Sequence, residues 1–154
     1  MTSNKSLKFI NIAAEEAHKS KILQKHGCVI VASGKLISKG FNSYRNKSKD
    51  GFLNNFCTSH AEISAIRNFY KYKKYNIKNN RNKNIKNCTI YIVRINNNGK
   101  LCSSAPCINC FNIISKMGIK KIVYSDSNGK IKSSCTKKYK INHMSYGQRY
   151  LYSI

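Results

Sequence analysis

Pro106-Cys107-Ile108-Asn109-Cys110, with His60-Ala61-Glu62 upstream of it, is the stretch on which the reading of this chain turns. Each piece stands at the start of an apolar pattern with helical spacing. Ile63, Ala65, Ile66 and Phe69 follow the first, and the second runs from Cys107 through Met117 to a stop at Gly118. Pro106 is the only proline in the chain, and proline suits a first helical turn. Cys107 and Cys110 are three positions apart and so point to one side of that turn. The partial positive charge at a helix N-terminus favours thiolate over thiol. A neutral His60 and two thiolates make three zinc ligands, which leaves a fourth position for water, the pattern of a catalytic site. Glu62 can approach the same metal without ligating it. Zinc lowers the pKa of bound water from about 15.7 to roughly 7, and Glu62 is placed to carry the proton released.

The same residues admit two other readings. Ser59-His60-Ala61-Glu62 fits a capping box, in which Glu62 only reaches back to a backbone amide. Cys57 and His60 form a C-x2-H pair that, with Cys107 and Cys110, would close a four-ligand structural zinc. The protein would then be a basic nucleic-acid-binding module. His18, His26 and His143 read as ordinary surface or core histidines. Cys28, Cys88 and Cys135 read as small buried residues beside strands, and Cys102 has no assignment.

Outward from the site, Leu7 to Lys25 has helical spacing and is stopped by Gly27. Cys28 to Ala32 reads as a buried strand, Ser33-Gly34 as a turn, and Lys35 to Phe41 as the hairpin partner. Asn42 to Asn55 reads as a loop, and Ser59 to about Tyr72 as the second helix. Lys71 to Asn87 carries seven basic residues and no acid, and reads as an exposed Lys/Asn-rich insertion. Thr89 to Ile95 and Ile119 to Tyr124 read as strands. Asp126 to Gly129 is a hairpin turn that sends Lys130 to Cys135 back antiparallel. The order implies an α/β fold: a three-layer α/β/α sandwich with a mixed five-stranded sheet, built as a single domain over residues 1–154.

Composition sets the outer limits. At 154 residues and 41% hydrophobic, the chain suits one domain with one core. Its clearest apolar run, Cys28 to Ala32, is far too short to cross a bilayer, and no secretory core is evident near the start. Seven cysteines, an odd number, favour metal binding or free thiols over a disulfide framework. The expected location is the cytoplasm or another intracellular reducing compartment. The charge is extreme: 29 Lys and Arg against five acids, or +24. AT-rich codons account for much of the Lys, Asn, Ile and Tyr, yet Glu codons are also A-rich and only Glu15, Glu16 and Glu62 occur. A nucleic acid or a phosphate-bearing partner is the expectation. Tyr70, Tyr72 and Tyr75 would be available to stack on the bases of a single strand.

On H-x-E and P-C-x-x-C together, in this order and each opening a helix, the chain resembles the cytidine deaminase superfamily from about Leu7 to Ser134. That group includes cytidine, deoxycytidylate, tRNA-adenosine and APOBEC-type deaminases. The resemblance implies Zn2+ held by His60, Cys107 and Cys110, with Glu62 as proton shuttle. It implies that Asn42 contacts the sugar, that Ala61 offers its backbone to the base, that Ser104 and Ala105 wall the pocket, and that Tyr124 flanks the substrate. The implied substrate is a cytosine-containing nucleoside, nucleotide or single-stranded nucleic acid, in nucleotide metabolism or nucleic-acid editing. Adenine deamination in tRNA stays open, as does a homo-oligomer. Subgroup marks are mixed: the hairpin before the last strand resembles cytidine deaminases, whereas His60 as first ligand resembles the deoxycytidylate and editing branches.

Overall fold

Ser3 caps the first helix, its hydroxyl accepting the Ser6 N–H at 3.2 Å. Helix α1 (Asn4–His18) follows, with Phe9, Ile10, Ala13 and Ala17 buried along one side. The structure, a computed structural model, describes residues 3–53, 57–75 and 85–141 together with Ser145, Arg149 and Ser153. Helix α1 ends well before the Lys25 that its periodicity predicts. Ser20 turns the chain away: its N–H bonds the Ala17 carbonyl at 3.1 Å, and its buried hydroxyl donates to the Asn42 carbonyl at 2.9 Å. Gly27, expected to stop the helix, instead lies inside the first strand. The reason is space, since a Cβ on Gly27 would stand 1.9 Å from the Ala13 carbonyl oxygen.

Strands β1 (Lys25–Ala32) and β2 (Lys35–Phe41) form the expected hairpin. Ser33 and Gly34 both take positive φ, 50° and 74°, the geometry that matches the twist of a two-residue hairpin turn. Helix α2 (Ala61–Tyr75) precedes β3 (Thr89–Ile95), and β4 (Leu101–Cys102) pairs with the end of β3. Helix α3 (Ile108–Met117) is closed by Gly118 in the left-handed region at φ 77°. Strands β5 (Lys121–Ser125) and β6 (Ile131–Cys135) complete the set.

The sheet runs β2-β1-β3-β5-β6, with β4 off the end of β3. Only the β3–β5 pair is parallel, with α3 on the connection between them, and β6 runs antiparallel as the turn at Asp126 predicts. The sixth strand was not foreseen because two residues are too few to show alternation. Side chains alternate between two faces. Cys28, Ile30, Ile90 and Ile92 pack with Ala65, Ile66, Phe69 and Ile114 of α2 and α3. Val29, Val31, Tyr91, Val93 and Ile95 pack with α1. The result is the expected α/β/α sandwich with a mixed sheet. The Lys71–Asn87 insertion divides: residues 71–75 extend α2, Ile85–Asn87 forms a short 3-10 turn, and residues 76–84 lie outside the described residues. His143 does too, and so do the side chains of Tyr72 and Tyr75. Cys28 and Cys88 are buried as expected, but Cys135 is exposed at the end of the edge strand. Among the described residues, no helix is long and apolar enough to cross a membrane.

Candidate active site

His60 and Cys107 occupy the same place in two helices. The His60 carbonyl accepts the Ser64 N–H at 3.0 Å, and the Cys107 carbonyl accepts the Phe111 N–H at 2.9 Å. Each is therefore the residue from which its helix starts, and Cys110 lies on the first turn of α3. Ser59 does not cap α2. Its backbone pairs with Ser43, N–H to carbonyl in both directions at 2.9 and 3.0 Å, which pins the residue before His60 to the end of the hairpin. The capping box therefore fails, because the Ser59 N–H that Glu62 would reach is already taken.

Packing fixes both helix starts. On β2, the Ser38 hydroxyl donates to the Ala65 carbonyl at 2.6 Å, and Asn68 Nδ2 donates to the Lys39 carbonyl at 2.8 Å. A Cβ on Gly40 would lie 2.5 Å from the Ala65 nitrogen, so α2 sits directly on the strand backbone. Before α3, Ser104 brackets the loop. Its hydroxyl donates to the Ile92 carbonyl at 2.7 Å, accepts the Ser125 N–H at 2.8 Å, and lies 2.8 Å from Ser125 Oγ.

The three ligand atoms converge. His60 Nδ1 is 3.2 Å from Cys110 Sγ and 3.5 Å from Cys107 Sγ, and all three lie within 4.8 Å of one another. Zn–S near 2.3 Å and Zn–N near 2.05 Å in a tetrahedron place N and S about 3.5 Å apart, so the donors fit a zinc ion through Nδ1. The hydrogen bond from Cys110, assisted by His60, holds the Cys107 thiol down to about 3 despite burial. Burial pushes the Cys110 thiol well up, and metal binding would displace its proton. Desolvation acts to lower His60, but the hydrogen bond to Cys107 and the charges of Glu62 and Cys107 outweigh it and leave the imidazole raised. Cys57 is exposed and stands outside the three-residue cluster, so the closed set of Cys57, His60, Cys107 and Cys110 does not form among the described residues.

Glu62 is 4% exposed. Burial raises its carboxyl pKa, with nearby His60 opposing. His60, Glu62 and Cys107 open onto a cavity of about 680 Å³, and Glu62 is the only acid among its described lining residues. The other expected contacts divide. Asn42 and Ala105 line the cavity, as does Ser103, while Ser104 is turned into the scaffold bracket. Asn42 Oδ1 accepts the His26 N–H at 2.9 Å and Nδ2 donates to the Gln24 carbonyl at 2.7 Å. Ala61 is fully buried at the first turn of α2. Tyr124 is not among the lining residues and packs edge-on against Tyr139, centroids 5.7 Å apart.

Sequence reading missed His26, Arg94 and Arg149, all of which line the cavity. Burial pushes the His26 imidazole down to about 4, although the Gln24 carbonyl favours its charged form, so it is neutral near pH 7. Arg94 had a readable signal: it continues the Ile90, Ile92 alternation and is therefore a charge on the inward face of β3.

A histidine and two thiols gathered at two helix starts, with a buried carboxylate beside them, define a zinc site of the hydrolytic deaminase class. The family described as "Cytidine and deoxycytidylate deaminase zinc-binding region" matches residues 3–126, and the chain belongs to it. Its cofactor is zinc. Similar solved structures include the deoxycytidylate deaminase of cyanophage S-TIM5, at 20% identity and TM-score 0.55 over 84% of this chain and 89% of that one. The cytidine deaminase of Burkholderia pseudomallei matches at 17% identity and TM-score 0.56, covering 88% and 94%. The guanine deaminase of Bacillus subtilis matches at 20% and 0.51, covering 83% and 68%. At these identities the likeness is one of fold. No curated protein sequence matches the chain.

Proposed function

We propose that this protein hydrolyses the exocyclic amine of a cytosine-type base, giving uracil and ammonia, in a nucleoside, nucleotide or single-stranded nucleic acid. The observation that carries the reading is Glu62: the one acid among the described residues of the cavity wall, buried beside the three-residue cluster and outside it. His60 Nδ1, Cys107 Sγ and Cys110 Sγ would hold the zinc, which would supply the Lewis acidity that makes water a nucleophile near neutral pH. Glu62 takes the proton that water gives up as it adds to the amine-bearing carbon, and delivers it to the adjacent ring nitrogen. It then moves the second proton to the amine, which leaves as ammonia as the carbonyl forms. Ala61 offers its backbone to the base, Asn42 contacts the sugar, and Ser103 and Ala105 form the wall. Ser104 positions that wall through its hydroxyl. Tyr124, on β5, supports the site through its packing against Tyr139.

The test is to incubate zinc-loaded protein with cytidine, deoxycytidylate, and single-stranded DNA and RNA, and to measure uracil formation in each. Inosine from a tRNA substrate with no uracil from any of these would replace the reading with adenine deamination.

A further inference from the structure

The two ends of the sheet differ in charge. The cavity lies at the end where β3 finishes and where α2 and α3 start. At the other end β3 and β5 start, while β6 and α3 finish. Backbone bonds tie the chain together there. The Lys120 N–H bonds the Cys88 carbonyl at 3.1 Å, and the Thr136 N–H bonds the Lys120 carbonyl at 3.0 Å. Lys121 is the register partner of Thr89 on β3 and of Cys135 on β6. A 3-10 turn, Thr136–Lys138, follows β6. Lys86 lies along Gly118, where a Cβ would stand 3.1 Å from Lys86 Cγ. Lys116 is on the last turn of α3.

Lys86, Lys116, Lys120, Lys121, Lys137 and Lys138 are thus gathered at one end of the molecule, and all are exposed. The chain's five acids stand elsewhere. Glu62 is on the cavity wall, and Asp126 follows β5 at its far end. Glu15 and Glu16 are on the last turn of α1, which packs on β1 at Gly27. Asp50 pairs with Arg67 halfway along α2. The dipole of α3 favours a cation at its C-terminus and accounts for Lys116. It does not account for Lys120, Lys121, Lys137 and Lys138, which pair with no acid among the described residues. Like charges gathered this way cost stability, and a polyanion laid across them removes the cost. The large apolar side chains that are exposed, Leu7, Leu23, Leu36 and Tyr44, belong to none of these segments. A membrane surface takes up apolar side chains as well as cations, whereas a nucleic-acid backbone needs the cations alone.

We propose that this lysine-bearing end is a docking surface for the phosphate backbone of a nucleic acid, separate from the catalytic cavity. Helix α3 alone sets the two apart: Cys107 stands before its first residue, the lysines gather around its last, and ten residues rise about 15 Å. A strand held here does not present its bases to Glu62. It anchors the protein and leaves the cavity open to a substrate from solution. The proposal does not depend on the deaminase reading.

The test is binding of a fluorescent oligothymidylate, read by anisotropy over a range of salt, since thymine has no exocyclic amine to react. Lys120→Gln, Lys121→Gln, Lys137→Gln and Lys138→Gln combined are expected to weaken binding at least about 10-fold and to flatten the log–log salt slope by about 3, four cations at roughly 0.7 each. Lys21→Gln, Lys49→Gln, Lys100→Gln and Lys130→Gln combined remove the same charge elsewhere and are expected to cost far less. Arginine at the first four positions keeps the cations and is expected to keep the affinity. Uracil formation from cytidine and deoxycytidylate is expected to be the same in the first variant as in the wild type, and unaltered by bound oligothymidylate. No binding by the wild type, or equal losses in the two Gln variants, overturns the proposal. Competitive inhibition by the oligothymidylate overturns it too, by placing the strand in the cavity. So does a first variant that releases phosphatidylserine vesicles but still holds the oligonucleotide. No turnover of any cytosine substrate, with oligonucleotide binding lost in the first variant alone, removes the deaminase reading and upholds the docking surface.

Discussion

Glu62 is a carboxylate with almost no access to water, and every charge near it belongs to a metal ligand. No ion pair ties it to the scaffold, since it pairs with no lysine or arginine among the described residues. Glu62→Gln is expected to keep zinc at one equivalent per chain and to keep the unfolding temperature, while turnover falls at least about 100-fold, as expected for a lost acid–base group. Unaltered turnover would remove Glu62 from the reaction. Cys107→Ser or Cys110→Ser is expected to abolish metal and activity together, because among the described residues no further cysteine joins the three-residue cluster. Metal analysis showing a loaded Cys107→Ser protein would end the three-ligand assignment. The ligand set was legible in the sequence because spacing on one turn fixes direction. The serine that faces the cavity was not. Ser103 and Ser104 are adjacent and chemically alike, and only the bonds to Ile92 and Ser125 decide which one turns inward to the scaffold.

At the scale of elements, the helices carry the ligands and the hairpin aims them. Gly40 has no positive φ to defend, so its constraint is the approach of α2 alone. Gly40→Ala would drive a methyl group into the backbone of Ala65 and Ser64 and lift the helix that begins at His60. The expected loss is about 1–3 kcal/mol of stability, the usual cost of overpacking, with weakened zinc affinity because His60 moves relative to α3. Thermal melts with and without chelator check both parts. An Ala variant as stable as wild type would mean that α2 shifts at no cost. Element order, the hairpin turns and the Gly118 stop were legible because each has a local cause. The end of α1 was not, because Ile22 continues the helical spacing while a distant contact, Ser20 to Asn42, ends the helix. Likewise, Gly27 has the look of a stop signal, and only the packing of α1 on β1 shows that it serves close approach.

The whole molecule carries a formal charge of +24, and Glu62 is the only acid on the described cavity wall. Such a field attracts an anionic substrate at long range, and salt removes that attraction once the Debye length falls to about 10 Å, near 0.1 M. For a phosphate-bearing substrate, kcat/KM is expected to fall several-fold between about 0.02 and 0.2 M ionic strength. For a neutral nucleoside it is expected to stay nearly flat. Stopped-time assays at matched pH read the two slopes, and identical slopes would show that the charge plays no part in capture. The same charge bears on the two strands at the ends of the described sheet, β2 and β6. An open strand edge is a template on which another molecule can add its own strand, and growth of that kind ends in fibres. Here Lys35 and Lys39 stand on one edge strand and Lys132 on the other, within a chain whose copies all repel one another. Concentrated, salt-poor solutions should therefore stay clear, and clouding on addition of salt would mark the point at which edge meets edge.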